Sequence, residues 1–211
     1  MVQLEKEGLI VRHRGGATLP GTGFEPMFKQ RQKENLDLKQ SIAKYAASQI
    51  QDGEVIALDV GTTTAELAKE LLKKSNLTIF TSSLQVTSIL SRSNHSVYLI
   101  GGKLRQTEMS MVGSIALDTI MKFNYDRFYL SLAGISNESG PTDYSIEEAE
   151  VKKAFITRSK QVIALVDKSK FGKSSLIKVC DLDEITEIIT NKDENNAIRE
   201  TLRYKGKITF V

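Results

Sequence analysis

An α/β fold, with a largely parallel sheet flanked by helices, follows from three features of the sequence. Short apolar runs such as Val55-Ile56-Ala57-Leu58 and Val162-Ile163-Ala164-Leu165-Val166 lack polar alternation. Strands buried on both faces read this way. Segments of helical period separate these runs, and polar, glycine-containing stretches follow the strands directly. That alternation is the pattern of βα units.

Each element has its own signal. A helix is predicted over Leu36 to Ile50, because Ile42, Ala43, Ala46, Ala47 and Ile50 recur at helical spacing and Gln51-Asp52-Gly53 stops them. The strand Val55–Leu58 follows, then a helix from Ala65 to Leu72 and a strand from Leu77 to Phe80. Leu84 to Leu90 reads as a helix, and Val97 to Ile100 as a strand closed by Gly101-Gly102. A helix over Ile115 to Met121 precedes the strand Arg127–Leu132. Gly140-Pro141 breaks the chain before a helix from Ile146 to about Ser159. Val162–Val166 and Ile177–Val179 are later strands. A helix near Asn196 to Tyr204 and a strand from Ile208 to Val211 end the sequence.

The N-terminal part differs from the rest. Val11-Arg12-His13-Arg14 is basic and Gly15-Gly16 breaks it, while Thr18-Leu19-Pro20-Gly21-Thr22-Gly23 has the composition of a linker. The expected division is therefore 1–17, a linker over 18–27, and one α/β domain over 28–211.

Composition excludes several classes. The chain has 211 residues, a net charge of +3, 40% hydrophobic and 26% charged residues, which fits a folded chain and not wholesale disorder. So small a net charge argues against nucleic-acid binding over most of the surface. Cys180 is alone, so no internal disulfide can form. No run approaches the ~18 apolar residues of a membrane-spanning helix, and Met1-Val2-Gln3-Leu4-Glu5-Lys6 lacks a signal-peptide core. A cytoplasmic protein without membrane contact is expected. His13 and His95 are far apart and no Gly-x-Ser-x-Gly turn occurs, so neither a metal, a cofactor nor a nucleophilic triad is expected.

The chemistry should sit where polar stretches follow strands, because open α/β sheets bind ligands at strand carboxyl ends. Asp59-Val60-Gly61-Thr62-Thr63-Thr64 is the strongest of them. Gly61 permits a tight turn, and the following N–H groups lie at a helix N-terminus, which suits a phosphate. The same threonines could equally cap the helix. Asp167-Lys168-Ser169-Lys170-Phe171-Gly172 reads either as a solvated turn or as a loop that turns Lys168 or Lys170 toward an anion. Gly101-Gly102-Lys103-Leu104-Arg105 offers a turn and an arginine suited to bidentate phosphate contact. Glu148 and Lys152 stand four apart on one helix, which by spacing alone reads as a surface ion pair.

Taken in order, these segments resemble the DeoR-type bacterial transcriptional regulators. The resemblance is carried by Leu9-Ile10-Val11-Arg12-His13-Arg14-Gly15-Gly16-Ala17, Asp59-Val60-Gly61-Thr62-Thr63-Thr64, Thr81-Ser82-Ser83, Gly101-Gly102, Ala133-Gly134-Ile135, Glu148-Ala149-Glu150-Val151-Lys152 and Asp167 to Gly172. It implies a sensor domain related in fold to ribose-5-phosphate isomerase and the CoA-transferase-like folds, binding a phosphorylated sugar at the strand ends. The phosphate cradle it implies is Gly61, Thr62, Thr63 and Thr64, with Asp59 beside it. Thr81, Ser82, Gly102, Arg105, Gly134, Glu148, Lys152 and Lys168 are the further pocket residues. The family often has Asn where Ser82 stands, and serine has a shorter reach.

Only the tail of the family's winged helix–turn–helix is matched, around Arg12 to Gly16. Operator DNA is thus expected to be bound through the full-length parent, with Arg12 and Arg14 limited to phosphate-backbone contact. A homodimer or homotetramer is expected. The expected response to ligand is a population shift, with a segment such as Ser136 to Ser145 closing over the sugar. Two other classes compete with the sensor. One is a sugar-phosphate isomerase or deaminase, which needs carboxylates that the stretch Leu132-Ala133-Gly134-Ile135-Ser136 lacks, with Glu138 and Asp143 lying further along. The other is an assembly domain without a ligand, for which clustered Thr, Gly, Lys and Arg at strand ends would have no purpose.

Overall fold

The structure is a computed structural model and describes residues 11–13, 16–18, 21, 25–193, 198 and 202–211. Its centre is a seven-stranded sheet built from β3 (Val55–Leu58), β4 (Thr78–Thr81), β5 (Ser96–Leu99), β8 (Tyr125–Ser131), β11 (Ser159–Leu165), β13 (Glu187–Thr190) and β14 (Lys207–Phe210). The spatial order is β14-β13-β11-β8-β3-β4-β5, and every pair is parallel.

Helices cover both faces. Alternation along each strand divides the core into two clusters. Ile56 and Leu58 of β3, Tyr129 of β8, and Ile163 and Leu165 of β11 pack on α2 (Leu36–Gln49), α3 (Thr62–Leu71) and α4 (Leu84–Leu90). Ala57, Phe128, Leu130, Val162 and Ala164 face the other way, onto α5 (Ser114–Ile120) and α6 (Ile146–Arg158). A short α1 (Phe28–Lys33) precedes α2. Two small sheets flank the strand ends. One is the hairpin of β6 (Lys103–Arg105) and β7 (Ser110–Val112); the other is antiparallel, in the order β12-β10-β9, from β9 (Gly134–Ser136), β10 (Gly140–Asp143) and β12 (Ile177–Lys178). The N-terminal β1 (Val11–His13) and β2 (Gly16–Thr18) pair as an antiparallel hairpin. Among the described residues no helix is long and apolar enough to cross a membrane.

The expected α/β architecture is present; β6, β7, β9 and β10 are additional strands, and four expectations for the rest of the chain change. The strand expected at Ile177–Val179 leaves the main sheet and joins β10. A parallel neighbour needs a long crossover, and only a 3-10 turn at Lys168–Lys170 separates β11 from β12. Glu187–Thr190 is a sheet strand that the sequence reading leaves unassigned. Its apolar signal is only Ile188-Ile189, one residue for each face of the sheet. Ser136 to Ser145 is not a free flap, because Gly140–Asp143 is a wholly buried strand. Most of the helix expected near 196–204 lies outside the described residues, and 202–204 are not helical.

Gly134 illustrates how tightly the small sheet is docked. A Cβ there would lie 2.4 Å from the Lys173 carbonyl oxygen. That contact is backbone and cannot swing away, so Gly134→Ala is expected to destabilise the fold by about 1–3 kcal/mol, read as a lower urea midpoint at unchanged slope.

Candidate functional site

The strand order reverses between β3 and β8. The chain runs outward from β3 to β4 and β5, then returns to place β8 on the other side of β3. The loops leaving β3 and β8 therefore diverge and open a crevice at their carboxyl ends. Asp59 and Ser131 are the first residues at that point, and the Ser131 N–H donates to Asp59 Oδ2 at 2.8 Å.

The crevice is a cleft enclosing about 30 Å³, or about 470 Å³ counted out through its mouth. Its floor is an ammonium. Lys152 on α6 is almost fully buried, pairs with Asp59 and, at 3.0 Å, with Asp143 at the end of β10, and donates to the Ser131 carbonyl at 3.0 Å. Burial would push its pKa down, but Asp143, Asp59 and Glu148 outweigh that and hold it above its usual range. Glu148 lies one turn earlier on α6, accepts from Ser110 Oγ at 2.5 Å and touches Arg105 at 3.3 Å. Burial raises its pKa to about 7 against the opposing pull of Lys152.

A second group gathers at the start of α3. Gly61 is required by close approach, since a Cβ would meet Ser131 Oγ at 2.1 Å. The Thr64 hydroxyl donates to the Asp59 and Gly61 carbonyls at 2.8 and 2.9 Å and so fixes the turn. Thr62 and Thr63 line the cleft at the helix N-terminus, and no hydrogen bond engages either hydroxyl among the described residues. Arg31, Lys39 and Lys170 line the same region. Burial lowers the Lys39 pKa to about 8; Asp167 opposes the fall while Lys170 and Arg31 add to it. Burial lowers Lys170 as well. Asp167 accepts from Ser169 N–H at 3.0 Å and Ser169 Oγ at 2.5 Å, which winds the 3-10 turn bearing Lys170.

The structure thus brings Gly61, Thr62, Thr63, Glu148 and Lys152 to the cleft wall. Asp59 and Arg105 stand directly behind it, on Lys152 and Glu148. Other expected residues lie elsewhere. Thr64 is turned into the loop. Thr81 and Ser83 cap the start of α4. Ser82 packs under the β6–β7 hairpin, where its carbonyl accepts from Met111 N–H at 2.8 Å. Gly102 lies against the Val112 carbonyl and Gly134 against Lys173. Lys168 is exposed and away from the cleft, and Lys170 takes the place expected of it, because the 3-10 turn directs the two lysines apart. The backbone of Arg12 lies in β1, while Arg14 falls outside the described residues.

Several cleft residues escaped the sequence reading: Glu25, Arg31, Lys39, Glu108 and Tyr144. Lys39 had a signal, since it shares a helix face with Ile42, Ala43 and Ala46 and is only 3% exposed. Nothing in the local sequence marks Arg31 or Glu108, which meet across 77 residues of chain.

A helix N-terminus with lysines around it, carboxylates tied to a buried ammonium, and a cleft at a sheet's switch point give an α/β domain with a pocket chemically suited to a small anion. The model of the DeoR C-terminal sensor domain matches residues 34–192. The glycerol-3-phosphate regulon repressor of Escherichia coli K12 is 30% identical over 95% of this chain and 80% of its own length. The HTH-type transcriptional repressor GlcR of Bacillus subtilis 168 is 35% identical over 98% and 80%. Among solved structures, eIF2B delta of Chaetomium thermophilum aligns at a TM-score of 0.53, 16% identity, over 74% of this chain and 56% of that one. Ribose 5-phosphate isomerase A of Methanocaldococcus jannaschii aligns at 0.49 and 19% identity over 65% and 55%. The chain belongs to the DeoR family of transcriptional repressors and carries its sensor domain; it is a regulator rather than an enzyme.

Two outcomes follow from the charges. Lys152→Met leaves Asp59 and Asp143 buried without a counter-ion, so a loss of about 3–5 kcal/mol is expected in denaturant titration at neutral pH. Glu148 has a raised native pKa, so its contribution is complete below its unfolded value, near 4.5, and is lost as pH rises through about 7. Relative to wild type, Glu148→Gln should gain about 1–3 kcal/mol between pH 5 and 8, measured as the difference between the two melting curves. A difference that is flat with pH would contradict the assignment.

Proposed function

We propose that the cleft is the effector site and that its ligand is a phosphorylated sugar or a similarly small phosphorylated polyol. The observation that carries this is the crowding of Lys39 and Lys170 around the N-terminus of α3, where burial and repulsion from neighbouring cations depress both lysines. A bound phosphate would relieve that repulsion and satisfy the Thr62 and Thr63 hydroxyls and the first N–H groups of the helix. Asp143 and Glu148 then face the hydroxyls of the rest of the ligand. The name of the Escherichia coli relative, which refers to glycerol 3-phosphate, supports a phosphorylated ligand.

The ligand modulates operator binding by the full-length protein. The β1–β2 hairpin is the wing of the DNA-binding part, and its backbone pairing supports that reading of 1–17, with 18–27 as linker and 28–211 as the sensor. The protein acts in the cytoplasm as a homo-oligomer. Exposed Tyr98, Ile115, Met121 and Phe123 on and beside the edge strand β5 support self-association.

A thermal-shift titration with inorganic phosphate, glycerol 3-phosphate and hexose phosphates tests the site. A ligand at about 100 times its Kd should add about 2.7 kcal/mol of stability. The rise in Tm should vanish in Thr62→Ala/Lys170→Ala and persist in Lys168→Ala. A rise that survives the double variant would place the ligand elsewhere.

A further inference from the structure

Residues 25–34 cross the mouth of the cleft as a strap, and ion pairs hold it there. Glu25 forms a two-point pair with the Arg105 guanidinium, and Arg31 pairs with Glu108. Both partners belong to the β6–β7 hairpin and its turn, so strap and hairpin meet as two jaws. Arg31 Nε also donates to the Pro26 carbonyl at 3.0 Å, which ties the two halves of the strap together. Lys39 donates to the carbonyls of Arg31 and, at 2.6 Å, Glu34, which pins the C-terminal end of α1. All four paired side chains are largely buried, from 2% to 17% exposed.

With the strap in place the cleft encloses about 30 Å³. Sites for small organic ligands span about 300–1,000 Å³. Glu25 and Arg31 line the cleft and occupy the room that a sugar phosphate would need. One buried oxygen of Glu108 has no partner while the jaws are closed.

We propose that the strap and the effector compete for the cleft, so that effector entry separates the Arg105–Glu25 and Arg31–Glu108 pairs and releases residues 25–34. This rests on the effector-site reading above. The strap is also the segment that leads from the β1–β2 hairpin into the sensor domain. Its release therefore carries the state of the cleft to the N-terminal part of the chain, with no need for the sheet to deform. Closure reduces the apparent affinity by the fraction of molecules in which the strap is open.

Hydrogen exchange and calorimetry on the 211-residue chain test this. The probes are inorganic phosphate, glycerol 3-phosphate and glucose 6-phosphate. The variant is Glu25→Gln, which loosens the strap without touching the α3 N-terminus. Glu147→Gln, at the exposed Lys103–Glu147 pair, is the control. A saturating organic phosphate should speed exchange of the 25–34 amides about tenfold, and Glu25→Gln should bind it about three- to tenfold more tightly, with Glu147→Gln unchanged. If wild type binds but 25–34 becomes protected, or Glu25→Gln binds no more tightly, the competition is wrong while the effector site stands. If no probe binds either wild type or Glu25→Gln, the effector reading fails and the competition falls with it.

Discussion

The Lys152 ammonium holds the functional end of the molecule together. It touches Asp59 at the end of β3, the Ser131 carbonyl at the end of β8 and Asp143 at the end of β10. These are the two central strands of the main sheet and a strand of the small sheet, joined to α6 through one side chain. Burying such a charge costs several kcal/mol before its partners act. Apolar residues would fill the same volume at lower cost, so stability does not explain the arrangement. Its consequence is positional: the switch-point crevice acquires a polar floor whose groups cannot rotate away. Asp59 has the side-chain parity of Ala57, facing α6, and that parity brings it to Lys152 across the sheet end.

Charge is not spread evenly above that floor. Lys39 and Lys170 interact mainly with Asp167 and with neighbouring cations, Arg31 is tied to Glu108, and Glu148, Asp143 and Asp59 interact through Lys152. One group is cationic and sits on a helix N-terminus. The other is rich in acceptors and anchored to a single cation. A phosphorylated polyol carries the same division, with an anion at one end and hydroxyl donors along the rest. In the proposed effector site, recognition by both groups would discriminate against inorganic phosphate, which fills only the first, and against a neutral sugar, which fills only the second.

The βα alternation was legible because buried parallel strands read as continuous apolar runs, as β3 and the apolar centres of β4, β8 and β11 do. Apart from β13, the strands that were not foreseen share a different physics. β6, β7, β9 and β10 belong to small antiparallel sheets whose residues, such as Gly140-Pro141-Thr142-Asp143, have no strand periodicity. They are held by docking against other elements, as the Gly134–Lys173 contact shows. In the cleft, the residues local in sequence to a strand end were legible, from Gly61 to Thr63 among them. Arg31, Lys39 and Glu108 reach the cleft only through tertiary packing, and no local pattern encodes which loop will lie across which strand. The exchange of Lys168 for Lys170 is an error of phase within one three-residue turn.

A carboxylate with a pKa near neutrality in a cleft is also what a general base requires, and Glu148 meets that description. The surroundings give it another meaning. Ser110 and Arg105 hold it in place through Oε1, and the neighbouring Asp59 and Asp143 are committed to Lys152. The shift comes from burial, which any acceptor in a closed hydroxyl-recognising pocket would feel. Catalysts and sensors also divide their binding energy differently. A catalyst spends it in the transition state, and uniform tight binding gains it nothing. A sensor must spend it on the difference between two conformations. A cleft closed by its own ion pairs suits that second demand, since under the proposed competition a ligand that enters must first do work on the strap.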